Sequence, residues 1–149
     1  MKTLLALALM TLPTLGSAHD YKIADLVIDR PLARETTASA MAGAGYFMVI
    51  NNGETDDVLI EVRADFPRVM IHDTEVVDDV ATMVHLENLP IPAGETVMLA
   101  PGGKHVMFMG LNGDPFEEGE DISATLVFEK AGEIEVMLEV RTLEDIQNY

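Results

Sequence analysis

Histidine and methionine alternate within one short segment of this chain. If residues 104–109 form a strand, His105, Met107 and Met109 share one of its faces, and the residues between them share the other. Residues two apart on one face lie roughly 6–7 Å apart, so an imidazole and a thioether there can reach the same ion. This pair of donors is soft and favours Cu(I) over zinc, magnesium or calcium.

Two more donors of the same types lie upstream, near the ends of other predicted strands. His72 closes the segment 68–73, and Met83 opens the segment 83–89. The alternative is that a histidine near a strand end is only solvated and that a methionine fills the core. We expect that core role for four methionines, which are Met41, Met48, Met98 and Met137.

The composition excludes several other kinds of chemistry. The 149 residues include 9 Lys and Arg against 26 Asp and Glu, a formal net charge of -17, so no basic nucleic-acid surface is expected. There is no cysteine, which removes thiol nucleophiles, disulfides, iron–sulfur clusters, cysteine-type zinc sites and blue-copper sites. A hydrolase is poorly supported, because neither Ser39 nor Ser123 stands with a base at a recognisable spacing.

The first eighteen residues predict a secretory signal peptide. Lys2 precedes an apolar run over residues 4–12, and Gly16 and Ala18 supply small residues before a cleavage site. The alternative is a buried N-terminal helix. Cleavage after Ala18 would leave residues 19–149 as a single domain, with the bacterial periplasm as its expected location. No other apolar run approaches the length that spans a membrane, so we expect a protein that does not cross one.

The remaining chain predicts an all-β sandwich or barrel of eight or nine short strands, separated by turns rich in Gly and Pro. The predicted strands cover residues 21–29, 45–51, 57–64, 68–73, 83–89, 95–99, 104–109, 121–128 and 133–140. Residues 33–44 are small and polar and predict a loop, and residues 90–94 predict a turn.

The four donors have a distinctive spacing. His72, Met83, His105 and Met107 read as H-x10-M-x21-H-x-M. This pattern resembles the signature of PCuAC, a family of periplasmic copper chaperones. Three flanking segments resemble the same family, namely GAGY at 43–46, IPAG at 91–94 and PGGKHVMFMGL at 101–111. The resemblance covers about residues 21–140 and implies a cupredoxin-like β-barrel in which the four donors bind copper.

The resemblance also implies a function. Members of the family hand Cu(I) to respiratory oxidase assembly, notably to a CuA-type centre. The expected partner is therefore a cytochrome oxidase subunit or a Sco-type assembly factor, and the protein is not expected to be an enzyme. A periplasmic copper storage or detoxification protein with the same site is the nearest alternative. Because both histidines must be neutral to bind, copper affinity should fall below about pH 6.

Some residues depart from the family pattern or surround the motif. Leu32 replaces a packing tryptophan that the family often has. His85 stands where the family commonly has proline, and we expect it to flank the site rather than assist it. Met109 is expected to form a wall of the pocket rather than a fifth ligand. The acidic residues between the first two donors form either a solvated shell or a surface for a cation or a basic partner; they are Asp73, Glu75, Asp78 and Asp79.

Two hypotheses from other classes remain. His19 would be the first residue after cleavage, and its free amine and imidazole could bind Cu(II) weakly. With a second histidine nearby, the same group would suit an oxidative copper enzyme, which oxygen consumption with ascorbate would reveal. A purely structural β-domain predicts no rise in melting temperature with Cu(I), whereas any ligand that prefers the native state raises it.

Overall fold

The structure is a computed structural model that describes residues 20–148. The predicted signal peptide and His19 lie outside the described residues. No helix within residues 20–148 is both long and apolar enough to cross a membrane.

Eleven strands and one short helix form in this part of the chain. They are β1 (Tyr21–Ile23), β2 (Leu26–Arg34), β3 (Ala42–Asn51), β4 (Asp57–Arg63), β5 (Arg68–Val77), β6 (Val80–Leu86), β7 (Leu89–Ile91), β8 (Thr96–Met98), β9 (His105–Met109), β10 (Asp121–Phe128), β11 (Gly132–Arg141) and α1 (Leu143–Gln147).

All eleven strands belong to one sheet, which confirms the predicted all-β class. The strand order is β6-β5-β9-β3-β2-β11-β10-β4-β7, with β1 paired to β2 and β8 paired to β3. The pairs are antiparallel except for β11 with β2. Because β6 and β7 are the two ends of this order, the sheet is open and not closed into a barrel.

The predicted loop over residues 33–44 was wrong at both ends. β2 continues to Arg34 because its register shifts between Asp29 and Leu32, and a bulge of this kind accommodates a proline that cannot donate a hydrogen bond. β3 already begins at Ala42. Its first residues are small because aromatic rings pack over them: a Cβ at Gly45 would lie 2.9 Å from Cε2 of Phe108.

Two other predicted boundaries also changed. The predicted strand over residues 83–89 is divided between β6, which begins three residues earlier, and β7. The segment expected to be a turn therefore starts with a short strand, in which Pro90 pairs with Val58 at the edge of the sheet. An edge position tolerates proline because no further strand needs its missing N–H.

The core lies on one face of the sheet and follows the alternation of the strands. In β9 the buried Val106 and Phe108 face the core, and His105 and Met107 face the opposite way. The rings of Phe66, Phe108 and Phe116 pack against one another with centroids 5.3 to 5.8 Å apart. This packing fixes β9 against its neighbours and so positions the donors on its outer face.

Three of the four methionines that were expected in the core are exposed instead. Met41, Met98 and Met137 have 66%, 58% and 41% of their surface accessible, and Met48 is half-buried. The prediction was wrong because strand alternation turns Met98 in β8 and Met137 in β11 outward, whereas Met41 lies in the bend just before β3. Methionine is flexible enough to lie at such positions.

Candidate metal centre

His105 begins β9 and is buried, with 6% of its surface accessible. Its Nδ1 lies 3.1 Å from the backbone oxygen of Gly103. A carbonyl oxygen can only accept, so Nδ1 carries the proton and the lone pair is on Nε2. Nε2 is buried and has no hydrogen-bond partner among the described residues. The ring is therefore held in the tautomer whose free nitrogen suits a metal.

His72 lies in the middle of β5, directly opposite His105 in the β5–β9 pairing. The ring centroids are 5.7 Å apart, and Nδ1 of His72 is buried without a partner within residues 20–148. Burial lowers the pKa of His72 below its usual 6.5, and positive charge on His105 and His85 lowers it further. The ring therefore stays neutral over a wider pH range than an exposed histidine.

His85 extends this arrangement to a third strand. It pairs with His72 across β5 and β6, and these two ring centroids are also 5.7 Å apart. Within the described part of the chain, however, no three His, Asp or Glu side chains are grouped so that they could hold a metal. A metal in this place would therefore need the thioethers. The role of His85 beside the site stays a prediction.

The two predicted methionine donors lie on the same face as the histidines. Met107 on β9 is half-buried and stands opposite Ala44 of β3 on one side and Met70 of β5 on the other. Met83 on β6 stands opposite Thr74 of β5 and has 59% of its surface accessible. Because directly paired residues of antiparallel strands share a face, register alone brings both thioethers to the histidine face.

Met83, His105 and Met107 line one open hollow of about 460 Å³. The rest of its lining comes from β2, β3, β5, the turn before β9 and α1. His72 does not line the hollow, but its ring lies next to that of His105, with centroids 5.7 Å apart. The structure thus places three of the four predicted donors in one hollow and the fourth beside it, although they come from three strands and span 36 positions of sequence from His72 to Met107.

Met109 does not line this hollow. It stands opposite Ala42 and Arg68, at the far end of the β9 pairing from His105. The expectation that it forms a wall of the pocket was therefore wrong. The physical reason is distance along the strand, since residues four apart lie roughly 13 Å from each other.

The sequence matches the family described as "Putative lipoprotein LpqE-like" over residues 26–140, which is most of the chain. The chain belongs to the LpqE-like family.

A curated relative shares part of this LpqE-like sequence. The protein "Putative lipoprotein Lxx21020" from Leifsonia xyli subsp. xyli (strain CTCB07) is 39% identical over 83 residues. The match covers 54% of the LpqE-like chain and 49% of the relative. The chain therefore spans about half the length of the curated relative it matches.

Solved PCuAC domains have the same fold as the LpqE-like chain. The apo PCuAC domain of PmoF2 has a TM-score of 0.70 and 27% identity, and covers 85% of this chain and 97% of that domain. The copper-bound PCuAC domain from PmoF2 has a TM-score of 0.67 and 29% identity, and covers 83% and 98%. These structures confirm the predicted resemblance to the PCuAC family and the cupredoxin-like β fold.

Several residues around the hollow of the LpqE-like chain were missed by the sequence analysis. Arg34, Tyr46 and Gln147 line it, and burial raises the pKa of Tyr46, partly offset by the charge of Arg34. Met70 faces Met107, and its alternation with His72 in the same strand was the signal that would have found it.

The helix at the C-terminal end was also missed. α1 contributes Leu143 and Gln147 to the hollow. Thr142 caps it, with Oγ1 accepting a hydrogen bond of 3.1 Å from the backbone N–H of Asp145. A threonine three residues before an acidic residue is a recognisable helix start, but a single turn is too short to show a helical period.

Proposed function

We propose that this LpqE-like protein is an exported Cu(I) carrier that binds its ion between β5, β6 and β9. The ligands are Nδ1 of His72, Nε2 of His105 and the thioethers of Met83 and Met107. The observation that carries the proposal is the pair of buried, unpartnered imidazole nitrogens beside two thioethers. A buried polar atom without a partner is rare in folded proteins and needs an explanation, and a bound ion supplies one.

The donor set explains the choice of Cu(I). Two thioethers and two neutral imidazoles add no negative charge, and soft donors of this kind select Cu(I) over divalent ions. The copper-bound state of the PmoF2 domain supports copper as the metal. The hydrogen bond from Nδ1 of His105 to the Gly103 oxygen fixes the ring orientation and strengthens the ligand.

The accessibility of the ligands suits a carrier. His105 is buried and held by the backbone, whereas Met83 is 59% accessible at the mouth of the hollow. An incoming ligand from an acceptor can therefore replace Met83 first, while the buried His105 and the half-buried His72 still hold the ion. Delivery to a CuA-type centre, through a cytochrome oxidase subunit or a Sco-type factor, and a periplasmic location belong to this proposal. The name of the curated relative, a lipoprotein, supports export.

A Cu(I) titration under reductant, in competition with a chromophoric chelator, tests the site. Wild type should bind one Cu(I) per chain. His105→Ala and Met107→Ala should each weaken copper binding by about tenfold or more, because losing a residue that only supports a metal ligand already lowers metal affinity roughly 10- to 100-fold. Met109→Ala is the matched control, a half-buried methionine on the same face of β9 but outside the hollow. Equal competition by all four proteins would show that the donors are only packing.

Storage is the second candidate and shares the site. Cu(I)-loaded protein mixed with an apo CuA-domain fragment distinguishes the two functions. Transfer within minutes supports delivery, and copper that stays on the donor supports storage. Oxygen consumption by the loaded protein with ascorbate, at a rate above that of free copper, would contradict a purely carrying role.

A further inference from the structure

The edge strand β6 and the hairpin that it forms with β5 have features that the copper site does not explain. Among the strands of residues 20–148, β6 pairs only with β5 and is one end of the sheet. Its seven residues, VATMVHL, include no Asp, Glu, Lys or Arg. Natural proteins protect exposed edges with charges, prolines or bulges, because an unprotected edge pairs with other strands. This edge has none of these protections.

The hairpin projects beyond the rest of the sheet. β9 pairs with β5 only as far as His72, whereas β5 and β6 remain paired out to Val77 and Val80. The last part, residues 74–83, is therefore a two-stranded arm, here called the outer hairpin. An isolated two-stranded hairpin is marginally stable in water, so a covering partner would stabilise it.

The outer hairpin carries an exposed apolar surface. Val76, Val77, Val80 and Met83 have 69%, 60%, 61% and 59% of their surface accessible. The register of β5 and β6 places Val76 and Met83 on one face of the hairpin and Val77 and Val80 on the other, so both faces beside the free edge carry exposed apolar side chains. The face with Val76 includes Met83, which is the accessible ligand of the proposed copper site.

The charge on the outer hairpin indicates which partner it fits. Asp73, just before it, is paired with Lys104 at 3.1 Å. Glu75, Asp78 and Asp79 are exposed and have no ion pair within residues 20–148. The exposed apolar side chains of the hairpin thus lie among three carboxylates without an ion pair, which favour a partner with lysine or arginine beside its own apolar residues.

A second copy of the chain fits poorly. Each copy has a net charge of -17. Antiparallel pairing of two β6 strands about Met83 would place Asp79 of one copy opposite Glu87 of the other, and like charges directly opposite each other are unfavourable. The chemistry of the surface therefore selects a different, basic protein.

We propose that β6 and the outer hairpin are the docking surface for the copper-exchanging partner, which adds an extended, basic segment to the free edge of β6. The proposal rests on the proposed function, because it places the partner beside Met83. Backbone hydrogen bonds along β6 supply affinity, and the exposed apolar side chains on its two faces and the three carboxylates supply selectivity. The partner's own ligand can then approach the ion from the accessible side of the hollow.

The probe is a blocked nonapeptide of alternating Lys and Val, and its control is the same peptide with Glu in place of Lys. Both are titrated into 15N-labelled protein at about 0.15 M salt, where distant surface charges are screened. We expect shifted and more slowly exchanging amides along residues 80–86 with the Lys peptide only. Absence of binding, or shifts spread over the whole acidic surface, would overturn the proposal.

Matched variants separate the hairpin from general charge. Asp78 and Asp79 have φ of 51° and 61° in the two-residue turn, a conformation that asparagine also tolerates. The variant Asp78→Asn/Asp79→Asn should weaken peptide binding roughly fivefold, in line with two exposed ion pairs. Asp114→Asn/Glu118→Gln removes two exposed charges beyond the opposite end of β9 and should leave binding unchanged. Equal weakening by both variants would contradict docking at the hairpin.

Two further readouts keep the proposals distinguishable. The hairpin variant should bind one Cu(I) with wild-type affinity, since it keeps all four ligands. Wild type that binds Cu(I) but not the peptide would overturn docking alone, and wild type that binds the peptide on β6 but no Cu(I) would overturn the copper function alone. A doubling of mass with protein concentration, accompanied by protection of β6 amides, would show that a second copy occupies the edge instead.

Discussion

His72 and His105 stand directly opposite each other on β5 and β9, with ring centroids 5.7 Å apart and ring planes at 83°. Each ring has one buried nitrogen without a partner in the described part of the chain. Two imidazoles placed in this way can bind one ion. The effect of removing one ring on copper affinity should therefore depend on whether the other ring is present.

The first prediction concerns that dependence. If both histidines hold the same Cu(I), the effects of His72→Ala and His105→Ala on the binding free energy should not add, because the second loss falls on a site that is already broken. Chelator competition with the two single variants and the double variant measures the coupling. Strict additivity would mean that the two rings act at separate places.

The second prediction concerns the tautomer of His105. Because Nδ1 donates to the oxygen of Gly103, the apo protein should show a protonated Nδ1 and an unprotonated Nε2 at neutral pH. Long-range 1H–15N spectra of the imidazole report this directly, and Cu(I) should shift the Nε2 resonance most. A proton found on Nε2 would exclude this nitrogen as the resting ligand.

The third prediction concerns pH and the stability of the apo protein. The pKa of His72 is lowered in the folded state, chiefly by burial, so the unfolded chain binds more protons between the lowered value and about 6.5. The contribution of His72 to stability is therefore fully present above about pH 6.5 and is lost as the pH falls through that window. As the pH falls from about 7.5 to about 5, the free energy of unfolding measured with urea should decrease less for His72→Gln than for wild type. Identical slopes would contradict the burial argument.

The fourth prediction concerns the close packing beneath the site. A Cβ at Gly45 would lie 2.7 Å from Cδ2 of Leu138 and 2.9 Å from Cε2 of Phe108. Gly45→Ala should therefore lower the free energy of unfolding by about 1–3 kcal/mol, the usual cost of overpacking. Gly103→Ala is the control, since its Cβ would lie 3.7 Å from the nearest atom, the oxygen of Ala100. Urea unfolding measures both, and equal stability of the two variants would show that the core adapts.

The sequence by itself determined the features that depend on near neighbours. Strand alternation placed His105 and Met107 on one face of β9, and the predicted strands over residues 121–128 and 133–140 are present as β10 and β11. The absence of cysteine left imidazole and thioether as the soft donors. These inferences succeeded because the period of a strand and the chemistry of a side chain are local properties.

Only the tertiary structure decided which distant donors meet. Register between β5, β6 and β9 put His72 beside His105, Met83 over Thr74, and Met70 opposite Met107. It also placed Met98 on the surface and α1 against the hollow. None of this follows from local pattern, because strand pairing is fixed by the burial of one whole face of the sheet, and a shift of one residue would turn every donor to the other side.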